Sequence, residues 1–240
     1  MAQGLAWFAR RMRVPCTIVV PNPAPEAKLS AVTRLGARYV LVPYDEWWRV
    51  MSEHSYAPLA EAFFVHPCSD PAVMAGNGTI GLEILEDLPD VDTVVIPYRG
   101  GGLSAGIACA IRARKPRVKI YACEVETAAP LAASFAAGAP RPVPYSPSFV
   151  DRIGSKNVLS EMWPLVSGLL DGSLVMRLDE IAIAVRLLIE RNHVVAEGAG
   201  AVPVAAALSG KVGGGKVVCV VSGGNIDSST LCKILAGESP

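Results

Sequence analysis

The sequence predicts an α/β fold built on parallel sheets with helices on both faces. Three observations predict it. Short β-branched runs alternate with longer stretches of helical spacing, in βαβα order. Glycine-rich turns follow two of the strands. Of the 240 residues, 51% are hydrophobic and only 18% charged, which supplies a sizeable core and excludes a disordered chain.

The elements follow in order. Met1–Met12 places Leu5, Phe8 and Met12 on one helical side. Cys16–Val20 reads as a strand ended by Pro21-Asn22-Pro23. Ala24–Leu35 reads as a helix with Pro25 near its start and Gly36 past its end. Tyr39–Val42 is the next strand, and Trp47–Phe63 the next helix, interrupted at Pro58. A boundary near Phe63–Pro67 divides residues 1–63, part of a smaller lobe, from a larger lobe at 64–240.

Beyond it, Asn77–Leu85 reads as a helix after a Gly76 turn. Thr93–Ile96 and Val118–Cys123 are strands flanking a small-residue helix, Leu103–Arg114. Pro130–Pro147 is Pro-, Ala- and Gly-rich loop with a short helix. Ser160–Leu170, Leu178–Arg191 and Gly200–Ser209 have helical patterns. Lys216–Val221 is the last strand and Ile226–Ala236 the closing helix.

Lys+Arg and Asp+Glu both number 22. A balanced chain lacks the field that draws proteins to nucleic acid or anionic membrane. The longest apolar candidate for a membrane span, Val94–Ile111, is broken by Arg99 and glycines. Arg10, Arg11 and Arg13 follow the first apolar stretch instead of preceding it, unlike a signal peptide. The six cysteines lack CxxC pairing and mostly sit in apolar runs, as reduced thiols of a cytoplasmic protein would. His54, His66 and His193 lack zinc-ligand spacing and read as structural.

Gly100-Gly101-Gly102-Leu103, between a strand and a helix, can present backbone N–H groups and a helix N-terminus to a phosphate, with Arg99 beside them. Taken alone, Gly100, Gly102 and Gly106 with Glu124 downstream also suit a dinucleotide site, although the last glycine spacing is one residue long. Ser222-Gly223-Gly224-Asn225 is a second glycine turn at a strand end. Its hydroxyl can meet a ring nitrogen.

Taken together, the segments resemble the fold-type II pyridoxal-phosphate enzymes, a tryptophan synthase β-like fold, and within them the threonine/serine dehydratases and serine racemases. Met1-Ala2-Gln3-Gly4 is similar to the end of that family's Ser-x-Gly-Asn-x-x-Gln-Gly segment. Ala24-Pro25-Glu26-Ala27-Lys28, Gly36-Ala37, His66-Pro67-Cys68-Ser69-Asp70-Pro71, Ala75-Gly76-Asn77-Gly78-Thr79, Gly100–Gly106, Glu197-Gly198-Ala199-Gly200-Ala201 and Ser222–Asn225 match in order through essentially the whole chain. Arg99 stands at the first glycine of the family's tetraglycine loop, and Cys68 and Asn77 replace Phe and Gln.

The resemblance implies pyridoxal 5'-phosphate held by Gly100, Gly101, Gly102 and Leu103, with Ser222 and Gly223 at the pyridine nitrogen and Glu197 on the substrate side. It implies a lyase that turns a β-hydroxy amino acid into a 2-keto acid and ammonia, cytoplasmic and homodimeric in its full-length form, and leaves any metal undefined. The family's Schiff-base lysine lies upstream of the segment in which this chain begins. None of Lys28, Lys115, Lys119, Lys156, Lys211, Lys216 or Lys233 matches it, so no catalytic residue is assigned. An N-terminally truncated dehydratase is the leading expectation. A non-catalytic homologue or partner subunit, a racemase, and an NAD(P) enzyme are the alternatives.

Overall fold

The computed structural model describes every residue except Pro23 and Pro25, and the backbone only of Glu26, Ala27 and Lys28. The expected helix-initiating role of Pro25 and the Ala24–Lys28 motif thus fall largely outside the described residues. The chain divides into two compact units, Met1–Pro67 and Cys68–Pro240.

The first unit holds helix α1 (Ala2–Met12), strand β1 (Thr17–Pro21), helix α2 (Glu26–Arg34), strand β2 (Arg38–Val42), helix α3 (Tyr44–Glu53) and a 3-10 turn at Ala57–Leu59. Strands β1 and β2 pair in parallel, Thr17 opposite Arg38 and Val20 opposite Leu41. A small core of Ala6, Ile18, Val32 and Ala37 joins them to the helices. Helix α3 ends at Glu53, capped by His54 in the left-handed region at φ 54°, so the expected helix through Phe63 stops ten residues early. The ring of His54 stacks on His66 at 4.3 Å between centroids.

The second unit is built on a four-stranded, all-parallel sheet in the order β5-β4-β3-β6. Its elements are α4 (Pro71–Asp87), β3 (Thr93–Pro97), α5 (Gly102–Arg114), β4 (Lys119–Val125), α6 (Pro130–Ala137), α7 (Trp163–Leu169), β5 (Gly172–Met176), α8 (Leu178–Asn192), α9 (Gly198–Leu208), β6 (Val217–Cys219) and α10 (Ser228–Leu235). Every residue of β3 is buried, as expected of a central parallel strand. Helices α8 and α9 close a core that includes Cys123, Met176, Ile181, Val185 and Val202.

Two elements differ from expectation. Helix α4 begins at Pro71 and runs straight through Gly76, where a turn was expected. Asp70 caps it, accepting from the backbone N–H groups of Ala72 at 2.8 Å and Val73 at 3.3 Å, and Pro71 occupies the first turn. Gly78 and Gly81 serve helix packing: a Cβ at Gly81 would lie 2.8 Å from the Ile107 carbonyl oxygen, and one at Gly78 3.1 Å from that of Gly106. Strand β5 is the second difference. Its run Gly172-Ser173-Leu174-Val175-Met176 opens on glycine and carries one β-branched residue, a weak local signal overridden by pairing with β4. Among the described residues no helix is long and apolar enough to cross a membrane.

Candidate functional site

Both glycine turns leave the carboxyl ends of strands that are hydrogen-bonded neighbours, β3 and β6. This is the edge at which open parallel sheets bind ligands.

After β3, the backbone N–H of Tyr98 donates to Cys123 at 2.9 Å, and Arg99 is exposed to solvent. Gly101 adopts φ 91°, a conformation that side-chain-bearing residues avoid, and sits at the N-cap of α5. No side chain caps this helix. The Gly101 carbonyl accepts from Ala105 N at 2.8 Å and from Ser104 Oγ at 3.0 Å. The first-turn N–H groups of a helix have no acceptor within it; that of Gly102 turns to Cys68, and the others are oriented donors for an anion.

The loop rests on Cys68. A Cβ at Gly102 would come within 2.5 Å of the Cys68 carbonyl oxygen, and one at Gly100 would overlap Cys68 Sγ. Burial pushes the Cys68 thiol up to about 11, against the pull of Arg99 and a hydrogen bond from the Gly102 N–H. Behind the loop, the Tyr98 ring packs near Gly101, and its buried hydroxyl has no hydrogen-bond partner among the described residues. Burial, with the Glu124 carboxylate and Cys68 nearby, raises the phenol far above its ordinary range.

After β6, Ser222 is exposed and the rest of the turn is pinned to the start of α9. Glu197 N donates to the Gly223 carbonyl at 3.0 Å. A Cβ at Gly200 would lie 2.7 Å from that same oxygen, and one at Gly223 would strike Glu197 Oε1. Glu197 is 7% exposed. Arg152 Nε stands 3.1 Å from its Oε2, with the N–H angled away from the oxygen, so the contact is Coulombic and not a hydrogen bond.

The structure therefore brings Gly100, Gly101, Gly102 and Leu103 together at one strand end, and Glu197, Ser222 and Gly223 at the next. Glu124 takes no part. It is buried and accepts from Leu131 N and Ala132 N, both at 2.8 Å, and from Ser173 Oγ at 2.7 Å. Burial raises this carboxyl while those three donors pull it back. A carboxylate tied into the start of α6 is not available to a ribose, which removes the dinucleotide reading.

The described lysine side chains lie elsewhere. Lys119 pairs with Asp171, Lys216 with Asp90, and Lys211 donates to the Val175 carbonyl at 3.1 Å. Lys115, Lys156 and Lys233 are exposed. None has the desolvated setting that a nucleophilic amine needs. Residue-type reasoning missed the floor formed by Cys68 and the ion pair made by Arg152. Both are contacts between segments some 30 to 45 residues apart, with no local pattern to announce them.

These residues suit a phosphorylated ring. The loop at Gly100–Leu103 has an uncapped helix start, glycines with no room for a side chain, and an adjacent cation at Arg99. A hydroxyl at the neighbouring strand end can hydrogen-bond a ring nitrogen. A flat, singly anchored cofactor could be held here by non-covalent contacts alone.

Comparison with known proteins agrees. The profile of a family described as pyridoxal-phosphate dependent enzyme matches residues 1–223. The chain is 41% identical to the L-threonine ammonia-lyase of Geobacter sulfurreducens over 244 residues, covering 98% of this chain and 59% of that enzyme. The chain thus spans about three fifths of that relative's length. Among solved structures it resembles the processed form of threonine deaminase isoform 2 from Solanum lycopersicum (TM-score 0.87, 32% identity, 98% of this chain, 71% of that one). It also resembles maize serine racemase (TM-score 0.84, 31% identity, 98% and 74%).

Proposed function

Because the chain belongs to the pyridoxal-phosphate dependent enzyme family, we propose that it forms the cofactor-holding part of a lyase acting on L-threonine or L-serine. The products would be a 2-keto acid and ammonia. The observation that carries this reading is the pair of glycine turns at the carboxyl ends of adjacent parallel strands, one shaped for a phosphate and one carrying a hydroxyl. The likeness to the threonine ammonia-lyases supports the substrate class.

When bound, pyridoxal phosphate supplies a sink for the electron pair left at the substrate's α-carbon. The chain's own residues bind and orient. The backbone N–H groups at Gly100–Leu103 hold the phosphate, helped by the start of α5 and by Arg99. The Ser222 hydroxyl hydrogen-bonds the ring nitrogen without protonating it, since a hydroxyl is far too weak an acid. Glu197, braced by Arg152 and Gly223, lies on the substrate side. The amine that removes the α-proton is not among the described lysines. We place the enzyme in the cytoplasm, a setting in which six cysteines without a disulfide are at home. We also propose that the enzyme is a homodimer.

A second reading, racemisation of serine, is supported by the likeness to maize serine racemase. The test is equilibrium dialysis of pyridoxal phosphate against the chain, followed by assay of L-threonine and L-serine for keto acid and D-serine. Saturable binding displaced by inorganic phosphate is expected. Absence of binding at millimolar cofactor would overturn the reading, and D-serine without keto acid would replace it with racemisation.

A further inference from the structure

The partly buried guanidinium beside Glu197 calls for a ligand: the Arg152 side chain is 25% exposed, while its Nε and Nη2 are shielded from solvent. Arg152 reaches Glu197 Oε2 at 3.1 Å and Asp151 Oδ1 at 3.8 Å, in both cases through Nε. Its Nη2 is buried and has no hydrogen-bond acceptor among the described residues. Buried charged donors almost always find an acceptor, so an orphan of this kind signals a missing group. A guanidinium presents its donors in a planar fork, and Glu197 occupies only the Nε side. The remaining end, Nη1 with Nη2, matches the two oxygens of a carboxylate.

The location agrees with a ligand role. Phe149 and Val150, just before Arg152, pack against Gly198 at the start of α9. Gly154, just after it, packs on Val125 and Ala128 at the carboxyl end of β4. Arg152 is thereby held over the same edge of the sheet as the two glycine turns. The phosphate demand there is met by Gly100–Leu103 and Arg99. Glu197 sits between Arg152 and Gly223, so the arginine belongs to the ring and substrate side.

We propose that Arg152 binds the α-carboxylate of a small amino acid or its 2-keto acid, with Glu197 holding the guanidinium in place and competing for it. This rests on the proposed function only in naming the ligand.

The test is calorimetric titration of the cofactor-free chain with 2-oxobutyrate, L-threonine and L-threonine methyl ester, on wild type and on R152Q, R152K and E197Q. Wild type should bind the two carboxylates saturably and the ester at least about tenfold more weakly. R152Q should weaken 2-oxobutyrate about tenfold or more, R152K should recover part of the loss, and E197Q should tighten binding several-fold by removing the internal competitor. A merely structural ion pair would make E197Q and R152Q equally harmful, and that result overturns the proposal. So does wild-type affinity in R152Q, or no carboxylate binding by wild type. If R152Q does not fold, R152Q/E197Q removes both charges together, and carboxylate binding retained in that folded variant overturns the proposal. Dialysis of pyridoxal phosphate on the same preparations separates the two readings. Arg152-dependent carboxylate binding without cofactor binding supports this site while rejecting the proposed enzyme class.

Discussion

The two glycine turns stand at equivalent places, one strand apart, and are built in opposite ways. The turn after β3 is packed from below and behind: Gly101 and Gly102 are buried, Cys68 fills the space under Gly100, and Val166 and Met162 close on Gly101. The turn after β6 is held by its backbone to Val195 and Glu197, yet Ser222, Gly224 and Asn225 face solvent. Strand β6 itself has three residues and a partner on one side only. A rigid turn would suit the phosphate of the proposed cofactor, and an open one would suit a hydrogen bond to its ring.

The sharpest way to break this contrast is Gly102→Ala. Its Cβ would meet backbone, at the Cys68 carbonyl, and backbone cannot rotate away. We expect a loss of about 3 kcal/mol in stability, seen as a lower denaturant midpoint, together with loss of pyridoxal phosphate binding in dialysis. The next effect is smaller and acts from beneath. Asp70→Ala removes the cap of α4, two residues from Cys68, and should cost about 1 kcal/mol. Restoration by Asp70→Ser would confirm capping as the cause.

Ser222→Ala should leave the denaturant midpoint within about 0.5 kcal/mol, since the side chain is exposed, while weakening cofactor binding a few-fold. Equal losses of stability from Gly102→Ala and Ser222→Ala would abolish the distinction between the turns. A chemical probe sharpens it without mutation. With its thiol pushed up to about 11, Cys68 is protonated at neutral pH and keeps that form until the pH nears 11. Iodoacetamide footprinting at pH 8 should therefore modify exposed Cys109 and Cys232 well before Cys68.

The alternation of β-branched runs and small-residue helices made the parallel sheet legible, and the glycine turns were legible as turns at strand ends because such ends announce themselves locally. Gly76 misled because a glycine on an exposed helix face and one that permits a turn look alike in a sequence. What Gly78 and Gly81 do depends on Gly106 and Ile107, about 30 residues away. Strand β5 stayed hidden for the same reason: its partner β4, and not its composition, makes it a strand. Arg152 could not have been read at all, since an arginine in a loop is ordinarily solvated.

The contact between α4 and α5 has a mechanical consequence. Gly78, Gly81 and Gly106 bring the two helix backbones close, with little beside the contacts except the Ala110 methyl and the inner carbons of Asn77 and Ile111. Long side chains would absorb a displacement, whereas a close backbone contact yields less. A push on α4 between Met74 and Gly81 arrives at Gly106 and Ile107, one turn into α5. The pair acts as a strut, and the aim of the Gly100–Leu103 turn depends on the middle of its neighbour.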